Sequence, residues 1–113
     1  MRSQTRKNED PAYKAWIRTQ PCVVCVAHAL YLFLKRGRPS EAHHAGQRGL
    51  SQKADDRTCI PLCWTHHDRR SPHSVHSLGK NFWTFYRLNR SEIIEEMNRR
   101  YEFERETEQP KAA

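Results

Sequence analysis

Apolar residues fall in short, widely separated groups along this chain, and each group predicts one small element. Ala12, Tyr13, Trp16 and Ile17 recur at helical spacing behind Asp10-Pro11, a pair suited to cap and open a helix. Pro21 ends it. Residues 27–34 are apolar enough for a strand or a short buried helix, and periodicity does not choose between them. The basic turn Lys35-Arg36-Gly37-Arg38-Pro39 follows. Residues 40–45 read as a strand ending at a histidine pair, and residues 46–53 as a flexible basic loop. Residues 59–62 read as a second strand, with Pro61 suited to a bulge or an edge. From Trp64 the pattern predicts a helix containing His66 and His67, broken or kinked at Ser71-Pro72. Phe82, Trp83, Phe85, Tyr86 and Leu88 form an aromatic group expected in the core. A last helix starts near Ser91-Glu92, with Ile93, Ile94, Met97 and Tyr101 as its apolar side.

Composition makes this a poor core. Only 36% of the 113 residues are hydrophobic, and the mean hydropathy is -0.99. A domain of this kind needs a metal or disulfides to reach useful stability. The N-terminus has no apolar segment of the signal-peptide kind, and no apolar run is long enough to span a bilayer. The expectation is a cytoplasmic protein without membrane contact, where Cys-x-x-Cys holds zinc or a redox dithiol rather than a disulfide. No βαβ pattern surrounds the motif and a second ligand pair lies downstream, which favours zinc.

Charge points to the partner. The net charge is +7, and residues 1–90 carry 16 Lys/Arg against 6 Asp/Glu, whereas residues 91–113 carry 4 against 7. The basic field therefore sits on the histidine-bearing part and suits a phosphate backbone, without specifying sequence.

The cysteines and histidines divide into two sets. Cys22-x-x-Cys25 and Cys63-x-x-His66 supply four soft or borderline ligands in two pairs, the donor set of a closed tetrahedral structural zinc site. Cys59 is an alternative to His66, because Cys59 and Cys63 share one face of a strand. The compact Cys63-Trp64-Thr65-His66 spacer favours His66 and leaves Cys59 as a small buried hydrophobe. His43, His44, His67, His73 and His76 remain. Adjacent histidines on a strand point to opposite faces, so one can bind a divalent ion while the other acts on the same substrate as a base.

Cys-x-x-Cys, the His43-His44 pair, Asp55-Asp56, Pro61-Leu62-Cys63-x-x-His66-His67 and His76-Ser77-Leu78-Gly79 together resemble the HNH endonucleases of the His-Me finger (ββα-metal) group. They are closest to the phage and prophage branch of recombination-enhancement (Ref-like) nucleases. The resemblance covers roughly residues 21–83. It implies a small α+β fold in which a β-hairpin packs against a helix, with a structural zinc knuckle and flanking helices. It makes residues 12–90 the nuclease domain, between a basic tail at 1–11 and a C-terminal helix and charged tail at 91–113. His44 becomes the general base, and His43 and His67 become ligands of a catalytic Mg2+ or Mn2+ separate from the structural Zn2+. The third ligand is His76 by context, although it lies nine positions after His67 rather than four; His73 is the alternative. The residue that fixes the base, commonly Asn in the family, falls at Thr58 by counting and at Asp56 by proximity.

Arg48, Lys53 and Arg57 between the strands, and Arg69 and Arg70 after the helix, are candidate phosphate contacts, which position a substrate without reading bases. Lys35, Arg36 and Arg38 extend that patch. The sequence reading is thus a metal-dependent DNA endonuclease of low sequence specificity, bacterial or phage-encoded, in phage DNA processing or recombination. The C-terminal helix is left to pack on the domain, self-associate or bind a protein partner. The competing reading is a noncatalytic zinc-containing nucleic-acid-binding module.

Overall fold

A computed structural model describes residues 9–28, 40–46 and 55–108. In chain order these form α1 (Pro11–Arg18), α2 (Val23–Ala27), β1 (Ser40–His44), a 3-10 turn (Asp56–Thr58), β2 (Cys59–Cys63), α3 (Trp64–His67), α4 (Val75–Leu78), α5 (Asn81–Tyr86) and α6 (Arg90–Glu108). The result is a small α+β fold. Arg48, Lys53, the basic turn at 35–39 and residues 29–34 lie outside the described residues.

Helix α1 starts where the sequence places it: Pro11 occupies its first turn and the Asp10 side chain accepts the Tyr13 N–H at 3.1 Å. Tyr13 and Ile17 form its buried face. Strands β1 and β2 pair antiparallel, with Ser40 opposite Cys63, Ala42 opposite Pro61 and His44 opposite Cys59. Each strand of this two-stranded sheet is an edge, the setting that tolerates Pro61. The hairpin ends approach so closely that a Cβ on Gly46 would lie 2.5 Å from Thr58 Cγ2, and here glycine is required.

All five residues of β2 are buried, because the strand runs between two apolar clusters. One gathers Val24, Ala45, Ile60, Leu62, Val75, Phe82 and Tyr86 around the knuckle cysteines. The other joins α1 to α6 through Tyr13, Ile17, Met97 and Tyr101, and it includes Cys59. Trp16 Nε1 donates to Glu104 Oε1 at 2.8 Å across the same contact. The last helix thus packs on the domain along its Met97/Tyr101 side, while Phe103 faces outward.

Three local expectations change. The helix from Trp64 is a single turn ending before Asp68, well short of Ser71-Pro72. Asp68 is extended, and its carboxylate accepts the backbone N–H of Arg70 at 2.8 Å, so a side-chain turn competes with the helix. Phe85 is 58% exposed, because Phe82 and Tyr86, four residues apart, take the inner side of α5. Helix α2 was invisible to periodicity; at five residues it is too short to show any. Among the described residues no helix is long and apolar enough to cross a membrane.

Candidate metal centres

Cys22 is the N-cap of α2, Cys25 lies in its first turn, Cys63 ends β2 and His66 sits in α3. Four side chains from three elements thus meet at one buried point. The His66 Nδ1 lies 3.5 Å from Cys22 Sγ, 3.7 Å from Cys25 Sγ and 3.3 Å from Cys63 Sγ, and the Cys25 and Cys63 sulfurs are 3.8 Å apart. Tetrahedral zinc, about 2.3 Å from sulfur and about 2.0–2.1 Å from nitrogen, would hold sulfur pairs about 3.8 Å apart and sulfur–nitrogen pairs about 3.5–3.6 Å apart. The donor set and the spacing both fit one structural zinc. Electrostatics agree: the Cys63 thiol is pushed down to about 3 by hydrogen bonding from Cys22 and His66, while that bond and burial push Cys22 up. Cys59 lies outside this cluster as a buried core residue, its sulfur within 4.8 Å of ligand atoms of His44 and Asp56 and its thiol pushed up to about 12 by burial.

A second cluster joins β1, α3 and α4. His43, His67 and His76 have ligand nitrogens within 4.8 Å of one another. The Nε2 atoms of His67 and His76 are 3.4 Å apart, about the separation that two imidazoles take on one tetrahedral ion. Burial, with the neighbouring His67, His76 and His44, lowers the His43 pKa to about 3, and His76 is lowered by burial and by His67. Both imidazoles are therefore neutral near pH 7, the form that ligates metal.

The nine-residue separation is closed by a compact turn. Ser71 and Ser74 are buried, Ser74 caps α4, and the Ser77 hydroxyl reaches the carbonyls of Arg69 and Ser71 at 3.0 and 2.7 Å. This turn carries His76 back to His67. His73 is exposed and takes part through its backbone, its carbonyl accepting the Tyr86 hydroxyl at 2.9 Å.

Glu41 was missed as a site residue. Its carboxylate accepts a hydrogen bond from His67 Nδ1, which leaves Nε2 directed at His43 and His76. The signal was available, since Glu41 and His43 are two apart on β1 and so share a face. Carboxylates in this role fix the tautomer and raise ligand basicity. Glu41→Gln is expected to weaken divalent-ion binding at the three histidines by about 10–100-fold. Titration of zinc-replete protein with Mn2+, followed by calorimetry, measures this.

His44 points away from that cluster to Asp56, with Nε2 2.7 Å from Oδ1. Burial opposes the charged form of Asp56, but hydrogen bonds from His44 and the Asp10 amide, with Lys14 nearby, hold its pKa below the ordinary carboxylate range. Asp56 therefore accepts from His44 Nε2, which leaves Nδ1 as the ring nitrogen not engaged by the carboxylate. The side chain is 38% exposed, so water can reach it. The Thr58 hydrogen bonds go elsewhere: its carbonyl accepts the Ala45 N–H and its hydroxyl donates to the Asp55 carbonyl.

The candidate phosphate contacts separate in space. Arg57 lies between the Tyr13 and Tyr101 rings, 5.0 Å from each centroid, and bonds Asp10, Asn98 and Glu102. Those interactions tie it to the α1–α6 contact. Arg69 is close enough to help lower the His76 pKa, and Arg70 is exposed and paired with Asp68.

No solved structure matches the chain. The uncharacterized protein YdfU of Escherichia coli (strain K12) is 37% identical over 60 residues, which cover 50% of this chain and 14% of YdfU. The chain thus corresponds to a small part of that relative. Residues 1–82 of 113 match the profile described as "Protein of unknown function (DUF968)", so the chain belongs to the DUF968 family.

Proposed function

We propose that this protein is a metal-dependent DNA endonuclease of the HNH type, with the hairpin and α3 acting as a short ββα-metal element braced by structural zinc. The observation that carries this reading is the convergence of His43, His67 and His76 beside a fourth histidine, His44, that a carboxylate holds by one nitrogen. A noncatalytic module has no use for three imidazoles converging at ion-binding distance.

The geometry supports the following roles. His43, His67 and His76 would hold a divalent ion, and Glu41 orients His67. When bound, the ion supplies charge stabilisation at the scissile phosphate and the leaving oxygen. His44 Nδ1 accepts a proton from the attacking water, and Asp56 stabilises the imidazolium that results. The P–O bond to the 3′ oxygen breaks, leaving a 5′ phosphate and a 3′ hydroxyl. Three nitrogen ligands suit Mn2+ better than Mg2+, which prefers oxygen. Arg69 beside His76 contacts the flanking phosphate, and such contacts confer low sequence specificity. Action on phage or prophage DNA within the bacterial cytoplasm follows from the HNH resemblance.

The test compares His76→Ala with His73→Ala in plasmid cleavage with added Mn2+. His76→Ala is expected to lose about 100-fold or more in rate through loss of a ligand, and His73→Ala to stay near wild type. Equal effects would remove the assigned ligand set.

A further inference from the structure

Trp64 opens α3 and is 41% exposed, a costly surface to leave in water for a chain so poor in apolar residues. On a helix, side chains three apart are neighbours, so Trp64 shares a side with His67 while His66 turns inward to the cysteines. The Arg70 guanidinium lies 5.7 Å from the Trp64 ring centroid. It is held there by Asp68, with Nε 2.9 Å from Oδ1 and Nη2 3.1 Å from Oδ2. Arg69, on the same turn, lies near His76. An exposed indole, an anchored guanidinium and a ligand of the candidate ion site, His67, are thus contiguous along one short segment.

Flat aromatic rings beside cations bind nucleobases by stacking, and the stacked base must offer a free face. In an intact duplex both faces of each base are covered by neighbours, so only an unpaired or extruded base can use the ring. We infer that Trp64, backed by Arg70, is a stacking platform for an unpaired base next to the cut phosphate, and that the preferred substrate is DNA that is single-stranded at the cut. This rests on the nuclease reading above and adds the substrate class to it.

Binding separates the two ideas. In a His44→Ala background, which keeps the DNA intact, anisotropy of a labelled single strand and of its duplex would be measured at one salt concentration. Trp64→Leu keeps apolar bulk without a flat ring, Trp64→Phe keeps a ring, and each variant must retain one zinc. Trp64→Leu is expected to weaken single-strand binding about tenfold or more and duplex binding less than about threefold, with Trp64→Phe close to the parent. Equal losses on both DNAs, or no loss on the single strand, would overturn the platform while leaving a nuclease possible. A parent that binds neither DNA would overturn the nucleic-acid reading itself, before any Trp64 variant is made.

Discussion

Stripping the metal from Cys22, Cys25, Cys63 and His66 is expected to unfold the protein rather than loosen it. The ligands come from α2, the end of β2 and α3, and they sit inside the cluster that also holds Val24, Leu62, Phe82 and Tyr86. Without a cation that point holds three buried cysteines and His66 joined only by weak sulfur hydrogen bonds, which do not replace four metal–ligand bonds. Structural zinc contributes about 10–16 kcal/mol of apparent binding free energy in small domains, against a total stability of about 5–15 kcal/mol for a typical domain. A chelator, or Cys25→Ala, should therefore abolish the cooperative thermal transition and most of the helical circular dichroism. Acidification should act the same way, because it reprotonates the thiolates and releases the ion. Cys59→Ala is the control, a cavity at the α1–α6 contact that lowers the midpoint but leaves zinc content at one. A folded, cooperative protein after zinc removal would mean that the two apolar clusters suffice.

The second large effect is on catalysis. His44→Ala removes the base but leaves His43, His67 and His76 in place, so ion binding should persist while cleavage falls by about 100- to 10,000-fold. His44 is partly exposed and packs in neither apolar cluster, so little stability should be lost with it. Asp56→Asn should produce a smaller loss accompanied by destabilisation, since Asp56 also accepts the Asp10 amide at the start of α1 and lies near Lys14. Single-turnover cleavage beside thermal melts would separate those two consequences. A His44→Ala protein that also loses the ion would place His44 among the ligands instead.

What the sequence revealed followed from short-range rules. The Asp10-Pro11 start of α1, the strands beginning at Ser40 and Cys59, and the pairing of Cys22-x-x-Cys25 with Cys63-x-x-His66 all rest on local caps, alternation and ligand spacing. What it left open or missed depends on contacts between distant parts. Whether His73 or His76 reaches His67 is decided by buried Ser71 and Ser74 and by the Tyr86 hydroxyl on the His73 carbonyl, which spacing cannot show. Arg57 looked like any loop cation until α1 and α6 closed around it. The short α3 was hidden because helix propensity does not register an Asp68 carboxylate that bonds Arg70 instead.

The most direct test of the central claim is cleavage of supercoiled plasmid and single-stranded DNA by zinc-replete protein, with and without Mn2+ or Mg2+, beside His44→Ala matched in zinc content and melting behaviour. The account predicts metal-dependent cutting by the wild type, leaving 5′ phosphates and 3′ hydroxyls, and almost none by His44→Ala. Equal cutting by both, or salt-sensitive DNA binding with no cutting under any metal, would contradict it.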